Sequence, residues 1–408
     1  MKKKVLAFIM AGGKGERLLP LTRDRTKPAV PFGGIYRIID FTLTNCINSG
    51  LSRIYVLTQY KSASLHRHIR LGWNILSSEL NEYIELLPAQ QRVGETWYLG
   101  TADAIYQNLY ALEIDHPDVV LILAGDHIYK MDYYALIDFH REIDADLTVA
   151  VVEMDKEKSV HLGVVEVDSM GRVRGFQEKP AKPKTIPHQP DKIYASMGIY
   201  IFKQKVLEEE LHEDAKKNNS THDFGKDIIP QMLKKDLKVA AYNFIDENKK
   251  EAKYWRDIGT IDAYYEANMD LIQVDPVFNL YDRDWPIRTY QEQFPPAKTV
   301  FAGEEITGRV GLVLDSLIAG GCIVSGGRVQ RSILSPNVRV NSYSQIYDSI
   351  LMEGVNVGRH AKIKKAIIDK DVDIHQGMVI GYDLEEDKKK FYVSDSGIVV
   401  VAKGTEIK

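Results

Sequence analysis

Apolar residues follow two rhythms along this chain, and the change from one to the other divides it. In the first half they come as short runs, Val5 to Ile9, Ile54 to Thr58 and Val119 to Leu123, the pattern of strands buried on both faces of a parallel sheet. Helical stretches lie between them. Asp40 precedes Phe41 to Ser49 with Gly50 at its end, Thr101 precedes a stretch running to Leu112, Asp132 opens one that reaches Ile143, and Thr260 heads another. Asp and Thr are N-cap types, so the spacing predicts βαβ units, continued by a strand from Asp146 to Val152. A hairpin follows, His161 to Val167 and Arg172 to Glu178 about a Ser169-Met170-Gly171 turn, then a strand from Ala195 to Tyr200.

The second rhythm starts after a proline-dotted stretch, 275–302. Ile333, Ile350 and Ile367 recur every 17 residues, as do Val338, Val355, Val372 and the set Val340, Val357, Ile374. Ser332, Ser349 and Ala366 keep the same register, and Ser316 leads it by 16. Such a unit is about three hexads, one triangular coil of a parallel β-helix of the hexapeptide type, with these apolar positions stacking coil on coil. His360 and His375 fall outside that register, so the repeat reads as structural and oligomerising rather than catalytic. The expected domains are 1–274, a linker 275–302, and 303–408.

Composition narrows the classes. A chain of 408 residues exceeds what one core usually holds together, which agrees with two domains. Net charge −4 gives no reason to expect nucleic acid or an anionic membrane as partner. Cys46 and Cys322 stand alone, with neither a disulfide framework nor a zinc pattern, which suits a reducing, cytoplasmic setting. The apolar run after Met1-Lys2-Lys3-Lys4 stops at Gly12, too short for a secretory signal or a span, so no targeting segment is expected.

Chemistry gathers where the first strands end. Val5 to Ile9 empties into Ala11-Gly12-Gly13-Lys14-Gly15-Glu16-Arg17, and glycines there let backbone N–H groups turn toward one point, as in a polyphosphate cradle. Arg17 and Lys27 bring cations to the same edge. Gln59 follows the second strand, and Asp126 follows the third, in Ala124-Gly125-Asp126-His127. Asp257, in Tyr254-Trp255-Arg256-Asp257, is a second carboxylate, and two carboxylates beside a phosphate loop suffice for magnesium. His127 reads as supporting these groups. His66 and His68, two apart on a helix, read as surface residues, and Asp223-Phe224-Gly225 reads as a turn before a helix.

The string GGxGxRLxPLTxxxxKP, continued by Pro28-Ala29-Val30-Pro31-Phe32-Gly33-Gly34 and Arg37-Ile38-Ile39-Asp40-Phe41, resembles the sugar nucleotidyltransferases and, within them, is similar to the glucose-1-phosphate adenylyltransferases. The resemblance covers nearly the whole chain. It implies an α/β fold, a Rossmann-like, mostly parallel αβα domain followed by a left-handed β-helix, and transfer of the adenylyl group of ATP to α-D-glucose 1-phosphate with Mg²⁺. Arg17, Lys27 and Asp126 would be catalytic, with Asp126 and Asp257 on the metal. Ala11, Gly12, Gly13, Gly15, Arg17, Lys27, Gln59, Gln90, Gly100 and Thr101 would hold ATP. Tyr98, Gly163, Glu178, Lys179, Ser196 and Trp255 would hold the sugar phosphate. A homotetramer is implied as well.

Regulation is where the residues depart from the family. Members activated by fructose 1,6-bisphosphate typically carry a lysine and a histidine about the KPAV string, and Asp24 and Pro31 stand there here. Arg25, Arg37, Lys364 and Lys365 remain as candidates for an anionic effector between the domains. The rival readings are a transferase for another base or sugar, a non-catalytic regulatory subunit, and an acyltransferase using the β-helix. Lys27, Asp126, Lys179 and Asp257 are all present, which weighs against the second.

Overall fold

The computed structural model describes residues 4–90, 97–168, 171–246, 251–301 and 309–405. The expected turn residues Ser169 and Met170, and the linker boundary at 302, lie outside them. A nine-stranded sheet forms the first domain, in the order β7-β6-β8-β4-β1-β2-β3. Here β1 is Val5–Met10, β2 Arg53–Thr58, β3 Tyr83–Pro88, β4 Val119–Ala124, β5 Leu147–Asp155, β6 Gly163–Val167, β7 Val173–Glu178 and β8 Lys192–Lys203. β9, Val239–Asn243, runs parallel to β5, which pairs with the long β8. Strands β4, β1, β2 and β3 are parallel, with Val5 beside Val119 and Met10 beside both Ala124 and Leu57. Four chain segments therefore leave the sheet at one edge. The apolar runs explain it: β1 and β4 are buried along nearly their whole length, with one core on each face of the sheet.

Two helix starts differ from expectation. The helix expected from Phe41 begins at Ile38, so Asp40 is its third residue rather than its cap, and Asp40 Oδ2 accepts from the Arg37 N–H at 2.7 Å. That carboxylate is fully buried. It also takes Trp73 Nε1 at 2.8 Å and lies 2.6 Å from His68 Nε2. His68 is thus a core residue paired with a buried acid, correcting the surface reading. Gly100, not Thr101, caps the helix Thr101–Tyr106, which breaks before a second short helix, Tyr110–Asp115. Thr260 does cap, accepting from Ala263 N at 3.2 Å.

The second domain is a three-sided prism of parallel strands, one sheet per side. Each coil turns at three corners, and each corner holds a residue in the left-handed region: Asp315, Arg331, Asp348 and Lys365 at one, Gly321, Asn337, Gly354 and Asp371 at the next, Gly326, Tyr343, His360 and Gly377 at the third. His360 is therefore in register after all, as a corner residue whose ring stacks on Tyr343 at 4.9 Å. The serine series forms a ladder. Ser332 N donates to Ser316 Oγ at 3.0 Å, Ser349 N to Ser332 Oγ at 3.1 Å, and Ala366 N to Ser349 Oγ at 3.2 Å.

The valine sets fill the prism, as expected. The isoleucine set does not. Ile333, Ile350 and Ile367 face outward and pack with Val30, Phe32, Phe41, Ile258 and Tyr264 of the first domain, while Leu334, Leu351 and Ile368 take the interior positions. Strand alternation sends neighbouring residues to opposite faces, so a single 17-residue period carries both a core and an interface. A buried ion pair locks the contact, Arg25 Nη2 lying 2.8 and 2.9 Å from the two Asp369 oxygens. The connecting segment is a strap. Trp285 Nε1 donates to Asn45, Arg288 N to Thr44 Oγ1, and Thr289 Oγ1 to Asp40.

Candidate active site

The parallel edge opens into a cavity of about 760 Å³. Its floor is the glycine loop that follows β1. Ala11 N donates to Leu57 O at 2.9 Å, which ties the loop to β2, and Gly15 takes φ +65° where an added Cβ would stand 3.1 Å from both Lys27 and Thr22. Thr22 Oγ1 donates to Gly15 O at 2.8 Å. The loop is held from behind, with its open side to the cavity. Arg17 lies on the next turn, Glu16–Leu18, and reaches toward Asp257: a Cβ on Gly259 would stand 3.0 Å from Arg17 Nη2 and 3.1 Å from Asp257 Oδ2.

Lys27 sits at the centre. Its Nζ donates to Asp126 Oδ2 at 2.8 Å and to Asp257 Oδ1 at 2.9 Å, with the lysine side chain nearly buried. Asp126 arrives from the end of β4; Asp257 arrives on a short strand, Trp255–Asp257, paired antiparallel with His127–Tyr129. Burial pushes the Asp126 carboxyl up, yet Lys27 and His127 more than offset it and hold it at about 2. Burial likewise pulls the Lys27 ammonium down, and the two aspartates reverse this and raise it. His127 Nε2 lies 3.5 Å from Asp126 Oδ1, and its ring meets Trp255 edge-on at 4.9 Å.

Gly12, Gly13, Gly15, Arg17, Lys27 and Asp126 line the cavity, as do Gln59, Tyr98, Gly100, Thr101 and Glu178. Gln59 Oε1 accepts from the Tyr98 N–H at 2.7 Å, which joins the segments that follow β2 and β3. Seven of the expected residues stand off the cavity, Asp257 among them, which joins the site through Lys27. Ala11 is buried below the loop, and Gln90 is exposed outside. Lys179 pairs with Glu178 at 2.7 Å and is half exposed, beside the cavity rather than in its wall. Ser196 lies at a bulge of β8, and Gly163 lies under Phe176. Trp255 is buried behind the acid pair, its Nε1 without a hydrogen-bond partner among the described residues.

Sequence reasoning missed part of the wall. Phe176, Tyr200, Asp223, Phe224 and Gly225 all line it. Asp223 Oδ1 accepts from the N–H groups of Gly225 and Lys226, while its Oδ2 accepts from Thr101 Oγ1 at 2.9 Å, so the segment read as a turn clamps two cavity walls together. The sequence carried no signal for it, since the packing that explains it is three-dimensional. Cβ atoms on Gly163 and Gly225 would each fall 2.6 Å from the Phe176 ring, so these two glycines make room for one aromatic.

A second cavity, of about 620 Å³, lies between the domains and gathers Arg37, Arg67, Glu353, Lys370 and Lys403. Of the four effector candidates only Arg37 lines it. Arg25 is committed to Asp369, and Lys365 Nζ donates to Ser396 O at 2.5 Å on another side of the prism, next to Lys364. The four do not form one anion pocket.

A glycine loop, a buried lysine and two convergent carboxylates at the edge of a parallel sheet are the equipment of a nucleotidyltransferase, and residues 6–274 match the Nucleotidyl transferase family while 295–401 match the GlmU-like C-terminal hexapeptide family. Proteins named glucose-1-phosphate adenylyltransferase are similar along nearly the whole length. That of Koribacter versatilis is 58% identical over 98% of this chain and 95% of its own; those of Rhodopirellula baltica and Anaeromyxobacter sp. are 52% and 51% identical, over 100% and 99% of this chain and 92% and 99% of theirs. The chain belongs to the glucose-1-phosphate adenylyltransferase family. Enzymes of this class use a divalent cation, and ligand atoms of Asp126, His127 and Asp257 lie within 4.8 Å of one another. Two carboxylates are a hard-cation donor set, so the residues fit. No described helix is long and apolar enough to cross a membrane.

Proposed function

We propose that the cavity binds ATP and α-D-glucose 1-phosphate and that the chain transfers the adenylyl group between them, forming ADP-glucose and diphosphate. The observation that carries this is Lys27, with Arg17 nearby, set against two carboxylates directly above a glycine loop. The sugar phosphate oxygen attacks the α-phosphorus in line, the bond to the β-phosphate oxygen breaks, and diphosphate leaves. Gly12, Gly13 and Gly15 cradle the phosphates, and Arg17 and Lys27 neutralise charge that grows on them. Glu178 takes sugar hydroxyls, and Lys179 swings from it to the sugar phosphate. Asp126 and Asp257 would hold Mg²⁺, which would supply charge stabilisation on the reacting phosphates. Positioning does the remainder, with no covalent intermediate.

The test is diphosphate release from glucose 1-phosphate with each of ATP, UTP, GTP and dTTP. ATP is expected to be preferred; equal or faster turnover with UTP would replace the reading by a transferase for another base. The same reading includes a cytoplasmic homotetramer. It also includes weak regulation by anionic metabolites, since Asp24 stands where a cation would favour a bisphosphate.

A further inference from the structure

Lys27 occupies the place a divalent cation needs. Its ammonium bridges the two carboxylates at 2.8 and 2.9 Å, inside the cluster that Asp126, His127 and Asp257 form. A magnesium-sized ion binds oxygen at about 2.1 Å and tolerates little distortion, so ammonium and ion cannot share the gap between those oxygens. Around Lys27 the main chain is fixed. It lies in the turn Lys27–Ala29, Thr26 Oγ1 donates to Ala11 O at 3.2 Å, and Arg25 is anchored on Asp369. Only the four-carbon stem is free to move, and it borders the same cavity as the glycine loop.

We propose that Lys27 is an exchangeable counter-cation. With the cleft empty its ammonium neutralises the acid pair and keeps a divalent ion out; when nucleotide and metal enter together, the ammonium passes from the carboxylates to the phosphates. This rests on the acid pair being the metal site. Its consequence is that metal alone binds weakly and that nucleotide opens the site to it. The lysine serves in both states, as a stand-in for the metal and then as a phosphate ligand, and the acid pair is not left without a cation in either.

The test is Mn²⁺ binding without nucleotide, read by the free-ion electron paramagnetic resonance signal. Removing one like charge from the site in Lys27→Met should tighten Mn²⁺ binding by about tenfold or more, whereas Lys27→Arg should leave it as weak as in the unmodified protein. Equal or weaker binding by a folded Lys27→Met protein overturns the proposal. Tight binding that survives adding Asp126→Asn overturns it too, and removes the acid pair from the metal reading. Should Lys27→Met fail to fold, the unmodified protein decides: Mn²⁺ with a non-hydrolysable ATP analogue should leave Lys27 off the carboxylates, and Mn²⁺ alone at saturating concentration should raise its acetylation by an N-hydroxysuccinimide ester several-fold, read by mass spectrometry. Unchanged labelling under Mn²⁺ alone shows that lysine and metal do not compete.

Discussion

Arg25 and Lys27 lie two residues apart, and each is a buried cation held by carboxylate, yet they belong to regions that use charge in opposite ways. Arg25 faces the β-helix and meets Asp369, with arginine and aspartate both almost wholly enclosed. Lys27 faces the cleft, and its partners Asp126 and Asp257 keep 32% and 20% of their side chains exposed. A planar guanidinium whose Nη2 is held between both oxygens of an enclosed carboxylate fixes geometry; an ammonium on a flexible stem, with partners open to solvent, can be given up. The same short segment thus pins the domains together at one end and serves the chemistry at the other.

The contrast can be broken from either side. Asp369→Asn strands a buried guanidinium and should cost about 3–5 kcal/mol of stability by denaturant unfolding, whereas Arg25→Met with Asp369→Leu should recover most of that loss. Asp126→Asn should leave stability far less altered and lower kcat by about two orders of magnitude or more at saturating Mg²⁺, as for other lost stabilisers of transition-state charge; a variant that keeps half its kcat would remove Asp126 from the site. Ile350 and Leu351 sharpen the comparison, being adjacent and facing opposite ways. Each change to alanine should cost about 2–4 kcal/mol. Leu351→Ala should weaken protection of the β-helix amides in hydrogen exchange, and Ile350→Ala should instead weaken protection on both sides of the domain contact. The smallest effect expected is from Ser349→Ala, which removes one rung of the serine ladder and should cost about 1 kcal/mol in the same unfolding assay.

The strands and the prism were legible because each repeats one environment: β1 and β4 are enclosed along nearly their whole length, and every coil offers the same positions to the same neighbours. Period alone could not say which face a residue takes. Ile333, Ile350 and Ile367 keep the register of a core while serving the interface, since the face opposite the prism interior is also buried. Among the candidate site residues, those of the glycine loop, Lys27 and the aspartates were legible because strand ends place them. His68 was misread for want of Asp40, 28 residues away and hidden by the fold. Phe176 and Asp223 were missed because their roles depend on Gly163, Gly225 and Thr101, partners that no local spacing announces.

The strap has a consequence for the covalent chain itself. Val274 and Val277 are almost fully exposed just before it, while Trp285, Arg288 and Thr289 are fastened to the first domain. A protease nick at Val274 would send the strap with the β-helix half, where it would still clasp the catalytic half alongside the isoleucine face and the Arg25 pair. Backbone continuity there is redundant for holding the two halves together. A chain cut at that point should migrate as two fragments when denatured and as one particle when native, and the halves written as separate polypeptides should find each other.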